Sequence, residues 1–86
     1  MTKDVWSLNM TPAQCRAARA LLNWTQDQLA TAASSGNSTV RNFEAGRSTP
    51  KPIHMDAMRS ALEAAGVIFI PGNGEGPGVR LRKGPA

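Results

Sequence analysis

The pattern Thr-x-x-Gln occurs twice within a short stretch, as Thr11-Pro12-Ala13-Gln14 and as Thr25-Gln26-Asp27-Gln28. No other feature constrains the fold as much. At a helix start of this kind the threonine hydroxyl accepts from the N–H of the third helical residue. The glutamine at that position reaches back to the threonine N–H, so two donors that a helix leaves orphaned are satisfied together. Pro12 strengthens the first signal, because its fixed φ suits the first helical position and its missing N–H costs nothing there. Two starts so close together force the first helix to be short, and the spacing predicts helices over about 12–22 and 26–33. Cys15, Ala18 and Leu22 share a face of the first, with Leu21 beside them, and Leu29, Ala30 and Ala33 line the second.

The rest of the chain continues this punctuation. Ser34-Ser35-Gly36-Asn37 is turn chemistry. A third short helix over about 37–45 carries Val40 and Phe43 inward, and Gly46 stands where a glycine ends a helix. Arg47-Ser48-Thr49-Pro50-Lys51 is a basic polar loop, and Pro52 opens a fourth helix. Its expected buried stripe is Ile53, Ala57, Met58, Ala61, Leu62 and Ala65, and Gly66 closes it. The period then changes. Val67-Ile68-Phe69-Ile70 is β-branched and aromatic, 71–78 is a Gly/Pro loop, and Val79-Arg80-Leu81-Arg82-Lys83 alternates apolar and basic. The reading is a mainly α chain: a compact four-helix domain with a C-terminal β-hairpin. It divides into an N-terminal arm at 1–10, a helical domain at 11–66, and a hairpin and tail at 67–86.

Composition narrows the function. A chain of 86 residues holds one small core and has little room for an enzyme cleft. It contains no apolar run of about 18 residues, so no membrane span is expected. No apolar stretch follows Met1-Thr2-Lys3-Asp4, so no secretory signal is expected either. Cys15 is the one cysteine, and with His54 it supplies too few ligands for zinc. No metal, cofactor or small-molecule ligand is therefore expected, nor is catalysis, since no acid/base constellation is present. Cys15 and the Met55/Met58 pair read as core residues, and His54 as a surface or helix-start residue. Ten Lys/Arg against six Asp/Glu give a net charge of +4, which permits nucleic acid as a partner without naming it.

Short helices joined by about four residues in the middle make a helix-turn-helix layout. That motif needs a small residue where its two helices cross, and Ala30 fits. Leu29, Ala33, Val40 and Phe43 anchor both helices from below. The second helix must present polar groups outward, and Asn37, Ser38, Arg41 and Asn42 share a face. The segment WTQDQLATAASSGNSTVRNFEAGRSTP, 24–50, resembles the phage-repressor-like helix-turn-helix family, the Cro/C1 or Xre class. Its Thr-Gln-x-x-Leu-Ala opening, its Ser-Thr-Val-x-x-Phe-Glu-x-Gly block and the Pro after a basic loop match in register. With the flanking helices, the resemblance covers 11–66.

The resemblance implies a lambda-repressor-like fold and sequence-specific binding of double-stranded DNA, most simply by a bacterial cytoplasmic repressor. Gln26 would grip a phosphate. Asn37, Ser38, Arg41 and Asn42 would meet base edges in the major groove, with Gly36 at the entry. Thr39, Arg47, Ser48 and Lys51 would meet the DNA backbone, and Arg19 would pair with Glu44. Capping of its helix is an alternative role for Ser38. Two departures stand out. Ser34 and Ser35 occupy places where the family turn has Gly and a large apolar residue, and the hairpin lies beyond the minimal repressor domain.

Ile68, Ile70, Val79 and Leu81 give the hairpin an apolar face, and a lone hairpin is marginal in water. The expected solution is a homodimer joined through these residues, which suits an inverted-repeat operator. Arg80, Arg82 and Lys83 leave three readings open: protection of an edge strand, phosphate contact, or contact with another protein. The alternative function is an interaction protein such as an antitoxin or anti-activator.

Overall fold

The computed structural model describes residues 10–84. The arm at 1–9, with Trp6, and residues 85–86 lie outside the described residues. Four helices are followed by one hairpin: α1 (Pro12–Leu22), α2 (Gln26–Ala32), α3 (Asn37–Glu44), α4 (Pro52–Ala64), β1 (Val67–Ile70) and β2 (Gly78–Leu81).

Both capping boxes form. Thr11 Oγ1 accepts from Gln14 N at 3.0 Å, while Gln14 Oε1 accepts from Thr11 N at 2.8 Å. The Thr25–Gln28 pair repeats this at 3.0 and 2.7 Å. The end of α3 closes as its glycine requires. Gly46 adopts φ +77, its N–H bonds the Phe43 carbonyl at 3.0 Å, and the Arg47 N–H bonds that of Asn42 at 2.8 Å.

Cys15 and Ala18 of α1, Leu29 of α2, Val40 of α3, Met58 and Leu62 of α4, and Val67 of β1 are fully buried in one core. Met10, assigned to the arm by the sequence reading, is also in it at 3% exposed. The expected stripe of α4 is corrected at its first and last members, because Ile53 and the C-cap residue Ala65 are both exposed. Met55, Met58 and Leu62 are buried, whereas Ile53 is 72% exposed. Ile53 precedes Met55 by two residues, which is roughly 200° around a helix.

The hairpin corrects a further expectation. β1 and β2 are antiparallel, with Val67 opposite Leu81, Ile68 opposite Arg80, Phe69 opposite Val79 and Ile70 opposite Gly78. Directly opposed residues share a face, so Val67, Phe69, Val79 and Leu81 lie on one side. Ile68, Ile70 and Arg80 lie on the other. The expectation that Ile68, Ile70, Val79 and Leu81 form one apolar face therefore fails on register. Nor is the hairpin alone, because Val67 is in the core, Phe69 and Val79 pack against it, and the strands rest on α1 and α4. Gln14 Nε2 donates to the carbonyls of Gly78 at 3.0 Å and Ile70 at 3.4 Å. The Arg59 guanidinium lies over the Phe69 ring, 4.7 Å from its centroid.

Candidate nucleic-acid interface

The site is built on α2, α3 and the turn between them. Small side chains let the two helices approach: Ala30 and Ala33 are buried at 4% and 7% exposure. Leu29 and Val40 then fill the space beneath. The turn is where the chain departs from the favoured pattern. Ser34 takes φ +53, the left-handed region that glycine enters without cost. Its N–H bonds the Thr31 carbonyl at 3.1 Å and the Ser35 N–H bonds that of Ala30 at 2.9 Å, so the turn closes properly on an unfavourable residue. The Ser35 hydroxyl is buried without a hydrogen-bond partner among the described residues.

Gly36, in extended conformation, caps α3 without a side-chain bond. Ser38 thus lies within the helix and is not its cap. The inner face of α3 is Val40, Phe43 and Glu44. Asn37, Ser38 and Arg41 are exposed on the opposite side, while Thr39 and Asn42 are half-buried on the flanks. The four expected base-reading residues are therefore brought together unequally, with Asn42 set back. Arg41 has no hydrogen bond or ion pair with the other described residues. Arg47, Ser48 and Lys51 are exposed along the loop that leaves α3.

Asn37 Nδ2 donates to Asp27 Oδ1 at 2.9 Å, across from the first turn of α2. A carboxylate only accepts, so this bond fixes which way the amide faces. One amide hydrogen and the carbonyl oxygen of Asn37 remain, the donor–acceptor pair that an adenine edge needs. Asp27 was not singled out from the sequence, since nothing local links it to a residue ten positions on.

Behind this surface lies a charged hub. The Glu44 carboxylate, on a residue only 4% exposed, receives four donors. Oε1 accepts from Arg19 Nη2 at 2.7 Å and Gln26 Nε2 at 2.9 Å. Oε2 accepts from Arg19 Nε at 2.7 Å and Cys15 Sγ at 3.1 Å. Arg16 Nη1 adds a bond to the Glu44 backbone carbonyl at 2.6 Å, meeting a carbonyl that the helix end leaves unpaired. Burial alone would push the Glu44 carboxyl up. The bonds from Arg19, Gln26 and Cys15, with the Arg19 charge, outweigh burial and hold it below its ordinary value. The Arg19–Glu44 pairing implied by the resemblance is thus present, in a two-pronged geometry. Gln26, expected on a phosphate, is half-buried and commits one amide hydrogen to Glu44, leaving the other. Arg16 and Cys15 are parts of this hub that sequence reasoning missed. The one visible signal was the one-turn spacing of Arg16 and Arg19.

No helix among the described residues is long and apolar enough to cross a membrane. A helix-turn-helix family model matches residues 16–64, more than half of the chain. None of the curated proteins matches it.

Proposed function

Because the chain belongs to the Cro/C1-type helix-turn-helix family of DNA-binding regulators, we propose that it reads one operator sequence in double-stranded DNA and represses by occluding a promoter. The observation that carries this reading is the division of α3. Its inner face is locked by Val40, Phe43 and Glu44, and its outer face offers Asn37, Ser38 and Arg41 to solvent. α3 lies in the major groove. Arg41 takes a guanine edge, Asn37 (held by Asp27) an adenine edge, and Ser38 and Asn42 complete the base contacts. Thr39, Arg47, Ser48, Lys51 and the second amide hydrogen of Gln26 bind phosphates, which set register and carry no sequence information.

One copy of α3 covers only part of an operator, so the proposal includes a homodimer on an inverted repeat, with recognition helices about 34 Å apart. Within the hairpin, Ile68 and Ile70 are the apolar residues on the face that points away from the protein's own core. They are the dimer contact proposed here, in place of the four-residue face expected from sequence. Beside Arg80, the same outward face favours a second reading, an interaction protein such as an antitoxin. Salt separates the two, because phosphate binding releases counterions and weakens steeply as salt rises.

Footprinting the purified protein on the DNA upstream of its own gene tests the reading. Two protected half-sites about one helical turn apart are expected, lost steeply as salt is raised. Absence of any protected segment, with retention of a protein partner at high salt, would refute it.

A further inference from the structure

The buried thiol of Cys15 touches none of the residues assigned to DNA, yet its place in the Glu44 hub is specific. It is fully buried, and its sulfur lies 3.1 Å from Glu44 Oε2. Each carboxylate oxygen of Glu44 has room for two in-plane donors. Arg19 supplies one to each oxygen, Gln26 the second to Oε1, and Cys15 the second to Oε2. The short separation suits a donor that meets a charged acceptor.

We propose that Cys15 is a positioning residue for DNA reading: its S–H completes the donor cage on Glu44 and so fixes the angle at which α3 presents Arg41 and Asn37. The inference rests on the reading of α3 as the recognition helix. Glu44 is the last residue of α3, Cys15 and Arg19 stand on α1, and Gln26 opens α2. The cage thus joins three helices at one carboxylate. A small rotation of α3 about that point moves its exposed residues against the groove, where misplacement by a fraction of an ångström costs hydrogen bonds. Burial, and then the neighbouring Glu44 carboxylate, push the Cys15 thiol far up from its ordinary value. It therefore stays a neutral donor, and the thiolate chemistry of reactive cysteines is closed to it. The charged and titratable groups facing Glu44 are Arg19, Arg16 and Cys15 from α1, with the neutral Gln26 from α2.

Cys15→Ser keeps a donor, whereas Cys15→Ala and Cys15→Val remove it, the valine while still filling the space. Two readouts apply to the intact chain. The first is the pH titration of the Glu44 side-chain carboxyl carbon by NMR in the free protein. The Ser variant should titrate like wild type, and the Ala and Val variants at distinctly higher pH. The second is affinity for the footprinted duplex, measured at matched folded fraction. Ala and Val should bind about fivefold more weakly with serine rescuing, the scale of one hydrogen bond. Their acid limb of binding should also move to higher pH. If Val does not fold, the Ala–Ser comparison decides. Equal Glu44 titrations and equal affinities in Ala and Ser would overturn the proposal and leave Cys15 as filler. If wild type shows no sequence preference, the DNA reading fails, and the Glu44 titration still tests the cage by itself.

Discussion

Ser34 and Ser35 are the least settled residues of the fold. A left-handed conformation at a residue with a Cβ costs about 1–2 kcal/mol, and glycine avoids most of it. Ser34→Gly should accordingly stabilise the protein by about 1 kcal/mol, seen as a higher urea midpoint at unchanged slope. The Ser35 hydroxyl bears a desolvation cost without a partner among the described residues. Ser35→Ala should stabilise by about 1 kcal/mol, and a loss instead would mean that the hydroxyl is bonded in solution. The family resemblance marks position 34 as unusual, because the family turn has glycine there. The orphaned hydroxyl was not legible, since it depends on what surrounds Ser35 in space.

Glu44 carries a pH dependence whose sign follows from its cage. Its folded carboxyl titrates below the ordinary value of 4.5. The stability it confers is complete above that pH and is lost as pH falls through the lowered folded value. Glu44→Gln should remove that acid limb while lowering stability near neutrality, because Arg19 is left beside a neutral group. Urea midpoints across the acid range check both. An unchanged acid limb in the variant would assign it to other carboxylates.

At the scale of elements, the helices were legible and the faces less so. Capping boxes, prolines and glycines are local signals, and they placed α1 to α4 within a residue or two. α4 shows the limit of such signals. Its alanines form an apolar band beside the band of Met55, Met58 and Leu62, and spacing alone cannot say which side meets the core. The expected stripe includes Ile53 and Ala65, which both face water. β1 shows the same limit, because Val67-Ile68-Phe69-Ile70 has no polar alternation to mark an inner side. Only pairing with β2 reveals that Val67 and Phe69 face inward. In the candidate interface, Asn37, Ser38 and Arg41 were legible as an exposed face because α3 alternates clearly. The partners Asp27 for Asn37 and Cys15 for Glu44 were not, being contacts between helices.

At the scale of the whole molecule, the hairpin belongs to the domain that precedes it. Val67 lies in the common core, Phe69 and Val79 cover it, and Gln14 ties α1 to both strands. A chain ending at Gly66 should therefore lose about 3 kcal/mol or more of stability, from apolar burial alone. A thermal or urea transition unchanged by the truncation would show that the hairpin adds nothing. The charge distribution also makes sense at this scale. A net charge of +4 says little, but Arg41, Arg47 and Lys51 lie on and just after α3, where Glu44 is buried and paired. Arg80, Arg82 and Lys83 stand apart on the hairpin, so the basicity divides between two surfaces.

The central claim is that α3 reads bases, and Arg41 tests it most directly, being exposed and free of other described residues. The measurement is the affinity of wild type and Arg41→Ala for the footprinted duplex and for a random duplex of equal length, at one salt concentration. A base contact predicts a loss of about 1–3 kcal/mol on the footprinted duplex, relaxed preference at one position, and little change on random DNA. Equal losses on both duplexes would make Arg41 a phosphate contact and contradict the account.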